Sequence, residues 1–222
     1  MQHAVIFDVD GVLVDSYEPH LESWKILAAE LGQTITPQQF AASFGRTSKD
    51  IIRLWWADLF GAKLTEAKIA ELDELKEAAY REVIAKTKPV MDGAVELIDA
   101  LHAAGFKLAV GSSGPPANVE LSLKLLGRES KFSAKVTGMD VTRGKPDPQV
   151  FLIGAKKLGM DPAMCAVIED APAGIAAANA AGMTSIGLLG TTDALGLKAA
   201  KFIVPTLRAL DPQGISKLIA GG

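Results

Sequence analysis

Cysteine is nearly absent from this chain: Cys165 is the only one in 222 residues. A lone thiol excludes a disulfide framework within the chain and fits a reducing compartment. The apolar neighbours of Cys165 in "MCAVIED" give it a packing role rather than a reactive one. An excess of one charge sign is also missing. With a formal charge of -3, a pI near 5.7 and Lys and Arg dispersed along the chain, no electrostatic footprint for nucleic acid or an anionic membrane is present. Small-molecule chemistry is expected instead. No stretch reaches ~18 uninterrupted apolar residues, and the N-terminus lacks a basic segment followed by an apolar run, so neither a membrane span nor a signal peptide is expected. The expected location is the cytoplasm and the expected state a monomer. Internal repeats and low-complexity segments are lacking as well.

What is present is a core. The hydrophobic content of 49% supports one large domain, or a domain carrying a sizeable insertion. "AVIFD", residues 4–8, is apolar and partly β-branched and reads as a buried strand, with Gly11 marking a change of direction. The texture then becomes helical. Leu21, Trp24, Leu27 and Leu31 share one face, with Gly32 as a stop. Thr36 is placed to cap a helix that begins at Pro37, with Gln39 three residues after the cap. "TSKDIIRLWWADLFG" and "TEAKIAELDELKEAAYREVIAK" continue as helices. From Val90 onward, helices over about 93–104 and 116–126, then "DPQVFLIGAKKLG" and "PAGIAAANAAG", alternate with the short apolar runs "FKLAVGSS", "AKVTG", "CAVIED", "TSIGLLG" and "KFIVP". Such alternation predicts an α/β fold: a Rossmann-like, doubly wound parallel sheet with helices on both faces. The expected organisation is a core of residues 1–16 and 88–222, with an all-helical cap, 17–87, inserted after the first strand.

Ligands in parallel α/β sheets bind beyond the carboxyl ends of the strands. The polar residues at those ends are Asp8 and Asp10, Ser112 and Ser113, and Glu169 and Asp170; the loop "RGKPDP" adds Lys145. Carboxylates gathered at one rim repel each other and shift toward protonation unless a cation offsets them. All-oxygen donors of this kind suit Mg²⁺.

This constellation resembles the haloacid dehalogenase superfamily of phosphotransferases, in particular its cap-bearing β-phosphoglucomutase and phosphatase-like members. "DVDGVLVDS" is similar to the first motif of that family, "GSS" to its second, "GKPDP" to its third and "IEDA" to its fourth, so the likeness spans essentially the whole chain. The resemblance implies that Asp8 attacks phosphorus and carries an aspartyl-phosphate. It implies that Asp10 protonates the leaving oxygen and later deprotonates water, and the spacing of two puts both side chains on one side of extended backbone. It further implies Mg²⁺ held by the Asp8 carboxylate, the Asp10 backbone carbonyl and Asp170, with Glu169 nearby. Ser112 and the Ser113 N–H would hold phosphate oxygens, while Lys145 neutralises developing charge. The same resemblance points to His20, Trp24 and Lys76, near the hinge and cap, as substrate-binding residues. It also points to the cap loop "FGRTSKD", with Arg46, Thr47 and Lys49, as substrate contacts.

Other readings are weaker. Asp15 and Ser16 read as solvation and helix capping at the start of the cap. "GMDVTRGK" has one residue too many between its glycines for a Walker loop, and Pro146 stands where Ser or Thr is required. "DVDG" lacks the alternating ligands and terminal glutamate of a calcium loop. A non-enzymatic phospho-receiver module also combines aspartates, a hydroxyl and a lysine on a parallel sheet, but needs only about half this length and no insertion. Phosphomutases resembling this chain follow the second-motif serine with a hydroxyl, a lysine and an asparagine that grip a second phosphate. Here the chain reads Gly114, Pro115, Pro116, Ala117, Asn118; Asn118 remains a candidate contact, but the lysine is gone. The expected activity is therefore a Mg²⁺-dependent phosphatase for small phosphorylated metabolites, sugar phosphates first, with a β-phosphoglucomutase-type mutase as the alternative.

Overall fold

Along β1 (Ala4–Phe7), every residue is buried, and the period of two sends Val5 and Phe7 to one face and Ala4 and Ile6 to the other. A strand covered on both faces belongs in the middle of a parallel sheet, and β1 is there. The structure, a computed structural model describing residues 2–43 and 46–221, contains a six-stranded sheet ordered β3-β2-β1-β4-β5-β6. Its other strands are β2 (Lys107–Gly111), β3 (Phe132–Val136), β4 (Cys165–Glu169), β5 (Thr184–Leu188) and β6 (Phe202–Val204), each parallel to its neighbours. In register, Ile6 lies opposite Ala109 on one side and Val167 on the other.

The two faces carry separate cores. On one, Val5, Phe7, Val110 and Ile168 pack under α5 (Ala94–Ala103), α6 (Pro116–Leu126) and α9 (Pro212–Ala220) through Leu97, Ile98, Leu123 and Ile215. On the other, Ile6, Ala109 and Val167 pack under α7 (Gln149–Leu158) and α8 (Pro172–Ala180) through Phe151, Ala155 and Ala178. Each large side chain fully buried this way contributes about 1.5–3 kcal/mol. Cys165 sits on the second face with no exposure; burial pushes its thiol up to about 11, consistent with an inert packing role.

The chain divides into two compact units, residues 1–15 with 89–222, and residues 16–88. The second is all-helical in its described residues: α1 (Tyr17–Glu30), α2 (Pro37–Ser43), α3 (Ser48–Phe60) and α4 (Glu66–Thr87). Leu21, Trp24 and Leu27 of α1 are buried with Ile52 and Trp56 of α3 and Leu72 of α4, and Trp24 meets Trp55 and Trp56 edge-on. Leu31, expected on the same stripe, is only partly buried. The Gln39 N–H donates to Thr36 Oγ1 at 3.1 Å, as capping requires. Ser16 occupies the N-cap position of α1, but at φ -96°, ψ -2° its hydroxyl makes no cap bond. N-cap side chains reach the helix N–H groups from extended backbone, so the expectation of a side-chain cap at Ser16 is corrected; Asp15 is exposed.

Both ends of the insertion leave the first unit side by side. Val14 and Val90 form an antiparallel bridge, Met91 N–H donates to Leu13 O, and Asp15 N–H donates to Pro89 O at 2.8 Å. The chain does not end at β6. The helix α9 follows, with Pro212 in its first turn and Asp211 accepting from the N–H groups of Gln213 and Gly214. No described helix is long and apolar enough to cross a membrane.

Candidate active site

Two neighbouring strands of the first unit, β1 and β4, deliver three acids to one place. Asp8 follows β1 directly, and its N–H extends the ladder to Ile168 O at 3.0 Å. Glu169 ends β4 and Asp170 follows it. Asp8, Glu169 and Asp170 are 7%, 1% and 5% exposed, and each offers a carboxylate oxygen within 4.8 Å of the others. Lys145, from the loop before α7, reaches into this cluster: its Nζ is 2.6 Å from both Asp8 Oδ1 and Glu169 Oε1.

One lysine does not balance three buried acids. Burial first, and then the carboxylates of Glu169, Asp170 and Asp10, raise the Asp8 pKa well above the usual carboxylate range, against the pull of Lys145. Asp170 is pushed up to about 7 by burial and by Glu169. Burial also works against the Lys145 charge, but Asp8 and Glu169 outweigh it and hold its pKa above the ordinary lysine value. Hard oxygen donors with surplus negative charge fit a divalent cation such as Mg²⁺.

Two glycines give these carboxylates room. A Cβ on Gly11, whose φ is +75°, would fall 1.9 Å from Asp170 Oδ2. A Cβ on Gly174, in the first turn of α8, would fall 1.8 Å from Glu169 Oε1. Glu169 therefore lies flat against the start of α8, where its Oε2 accepts from the Ala171 N–H at 2.9 Å.

The second strand end adds hydroxyl and amide groups. Ser112 is 1% exposed, and its Oγ accepts from the Gly114 N–H at 2.9 Å, which leaves the hydroxyl proton available for donation. Ser113 is exposed, and its carbonyl is packed on Gly138. A Cβ on Gly114 would lie 3.2 Å from Ser112 Oγ and 3.8 Å from Asp10 Oδ2, so the half-buried Asp10 carboxylate faces the serine loop. Asp10's side chain is not one of the three clustered acids; its expected metal contact was through its backbone carbonyl. Asn118 is buried in the first turn of α6.

The remaining candidates lie in the helical unit. Lys76 is 2% exposed; its Nζ is 2.8 Å from His20 Nδ1 and 2.9 Å from Glu77 Oε1, and it stands over the rings of Trp24 and Tyr80. His20 stacks on Tyr80 with centroids 4.0 Å apart. These residues form a buried polar knot, and Trp24, at 1% exposure, is a packing residue of this unit. Thr47 caps α3: its Oγ1 accepts from the Asp50 N–H and donates to Asp50 Oδ2. Arg46 and Lys49 are exposed, while Phe44 and Gly45 of the same loop lie outside the described residues.

Thr191 escaped the sequence reading. Its hydroxyl and an Asp170 carboxylate oxygen meet beside the Gly11 α-carbon, where the hydroxyl favours the ionised acid, and it stands just beyond the carboxyl end of β5, where the strand-end rule applied to "TSIGLLG" would have found it. Thr137 was missed as well. At the end of β3, its N–H and hydroxyl both donate to Asp140 Oδ2, bracing the turn whose Gly138 N–H donates to Gly114 O.

Comparison with known proteins agrees with this geometry. The chain is 33% identical over 208 residues to validoxylamine A 7'-phosphate phosphatase of Streptomyces hygroscopicus subsp. limoneus, covering 93% of this chain and 95% of that protein. It is 35% identical over 193 residues to the β-phosphoglucomutase of Bacillus subtilis, covering 83% and 82%. The crystal structure of a β-phosphoglucomutase from Clostridium difficile superposes with a TM-score of 0.85 at 27% identity, covering 100% of this chain and 98% of that one. Residues 2–182 match the haloacid dehalogenase-like hydrolase family, and the chain belongs to that family.

Proposed function

We propose that this protein is a Mg²⁺-dependent phosphatase of small phosphorylated metabolites, with sugar phosphates as the substrate class, working through an aspartyl-phosphate on Asp8. The observation that carries this reading is Lys145 Nζ placed 2.6 Å from both Asp8 and Glu169 within a cluster of three buried acids. Asp8, Asp170 and the Asp10 carbonyl would hold the cation, with Glu169 beside them. When bound, the cation supplies positive charge that lets a carboxylate approach an anionic phosphoryl group.

An Asp8 oxygen attacks phosphorus as the bond to the leaving oxygen breaks, and Asp10 gives that oxygen a proton. Water then attacks the phosphoryl group, Asp10 takes a proton from it, and the bond between phosphorus and Asp8 breaks to regenerate the carboxylate. Ser112 Oγ–H and backbone N–H groups of the serine loop hold the phosphoryl oxygens, and Lys145 offsets their charge. Substrate names borne by the relatives support a sugar phosphate.

The mutase reading has the Bacillus subtilis relative in its favour. Against it, the segment after Ser113 carries no cation, and Pro115 and Pro116 at the start of α6 supply no N–H to a second phosphate. Phosphate release from a panel of phosphorylated metabolites, with and without Mg²⁺ and with and without a sugar bisphosphate, tests both. Multiple turnovers to free phosphate with Mg²⁺ alone are expected. Isomerisation that depends on the bisphosphate, without net phosphate release, would establish the mutase instead.

A further inference from the structure

The acid cluster contains one carboxylate that no lysine touches. Lys145 is bonded to Asp8 and Glu169, whereas Asp170 has the Gly11 backbone on one side and the Thr191 hydroxyl beside it. Both Asp170 Oδ2 and Thr191 Oγ1 converge on the space above the Gly11 α-carbon, 1.9 Å and 2.9 Å from where a Cβ would stand. A carboxylate in such a slot has its rotamer set by the groups around it, and the Thr191 hydroxyl is a neighbouring side-chain group that favours its ionised form.

Thr191 is exposed, yet the loop bearing it is pinned at both ends. Before it, the Leu189 N–H donates to Val204 O of β6. After it, Asp193 Oδ1 accepts from the Gly196 N–H at 2.9 Å, Asp193 O accepts from the Leu197 N–H, and Leu197 is fully buried. The hydroxyl is thus presented to Asp170 from a fixed turn.

We infer that Thr191 is a positioning residue for the metal site: its hydroxyl holds one oxygen of Asp170 so that the other is turned toward the cation. The inference rests on the reading of Asp170 as a metal ligand. Hydrogen-bond partners of ligating carboxylates set the orientation and basicity of the ligand, and their loss typically weakens metal affinity ~10–100-fold. In this role Thr191 acts on the cation through Asp170, so its effect is expected in the metal dependence.

The test uses Thr191→Val, which removes the hydroxyl at nearly constant shape, and Thr191→Ser, which keeps it. Mg²⁺ is titrated calorimetrically into metal-free wild type and both variants without substrate, and phosphate release is then measured across Mg²⁺ concentrations. Thr191→Val is expected to weaken Mg²⁺ binding ~10-fold or more, with its rate approaching that of wild type as Mg²⁺ is raised, and Thr191→Ser to bind as wild type does. A Thr191→Val isotherm that overlays the wild-type one would overturn the inference while leaving the metal reading intact. A rate deficit that Mg²⁺ does not close, or failure of Thr191→Ser to restore binding, would also overturn it, by making the role one of loop packing. Absence of Mg²⁺ binding by the wild type would overturn the metal reading itself, and this inference with it.

Discussion

Lys145 Nζ lies 2.6 Å from Asp8 Oδ1 although 137 positions separate the two residues in the chain. At 10% exposure each, neither charge is tolerable alone: burying one ion without its partner costs several kcal/mol. The pair is therefore part of the fold and, in the proposed mechanism, the centre of the chemistry, so substitutions here test both.

Asp8→Asn should abolish turnover while leaving the far-ultraviolet circular dichroism unchanged, because an amide occupies the same space but cannot form the acyl-phosphate. Appreciable phosphate release by the purified variant would end the nucleophile assignment.

Asp10→Ala should still be phosphorylated on Asp8 by an activated donor but should hydrolyse the adduct slowly. A positioned base contributes ~10²–10⁴-fold, so the phosphoenzyme should accumulate in a single-turnover experiment. Decay at the wild-type rate would remove Asp10 from that role.

Gly174→Ala separates helix propensity from the site. At an open helical position this change stabilises by about 0.5–1 kcal/mol. Here the new methyl group would lie 1.8 Å from Glu169 Oε1 and would push the carboxylate away from Lys145. Turnover should fall by ~10-fold or more, the scale of a lost charge-assisted bond, without a rise in Tm. Full activity with a raised Tm would show that Glu169 finds another pose.

The Asp170 pKa of about 7 sets a pH window. A folded carboxyl group raised above its unfolded value of about 3.9 binds a proton that the unfolded chain has already lost. Metal-free stability should thus decline as pH rises from about 4 to about 7 and level off above that. Mg²⁺ must displace the same proton, so its stabilising effect should grow over this interval. Thermal melts of chelator-treated protein at pH 5 and pH 8, with and without Mg²⁺, would show it; equal Mg²⁺ shifts at both would contradict the burial argument.

Thr47→Ala should cost the helical unit ~0.5–2 kcal/mol through loss of the α3 cap, and Thr47→Ser should recover it. Denaturant unfolding measures this. A rise in KM for a sugar phosphate without any loss of stability would make Thr47 a substrate contact rather than a stabilising cap.

The acid-bearing side of the candidate site was legible because strand ends are legible. An apolar run that stops at an acid announces Asp8 and Glu169, and the parallel-sheet rule collects them at one edge. Three things were not legible. Clearance is one: that Gly174 must lack a side chain follows from where Glu169 lies, which no local pattern encodes. Reach is another. Thr191 sits in a loop with no periodicity, and only the return of the chain to β6 brings it to Asp170. The third is competition for a hydroxyl: Thr47 had the chemistry of a ligand contact, but its oxygen is used by its own helix. The helix α9 could have been found, since Asp211 followed by Pro212 is a helix start written in the sequence.

The ladder joining Leu13, Val14 and Asp15 to Pro89, Val90 and Met91 has a meaning for ancestry and engineering. It makes everything from Ser16 to Lys88 a graft on a closed stem: the sheet sees two adjacent attachment points, whatever hangs between them. Loop-closure cost grows only logarithmically with length, about 0.6 kcal/mol per doubling, so the scaffold pays little for a large graft and little for its exchange. Trimming the graft to a short turn should leave a folded stump that keeps the Asp8–Lys145 pair. Heads of other shapes could be mounted on that stump without redrawing the strand order beneath it.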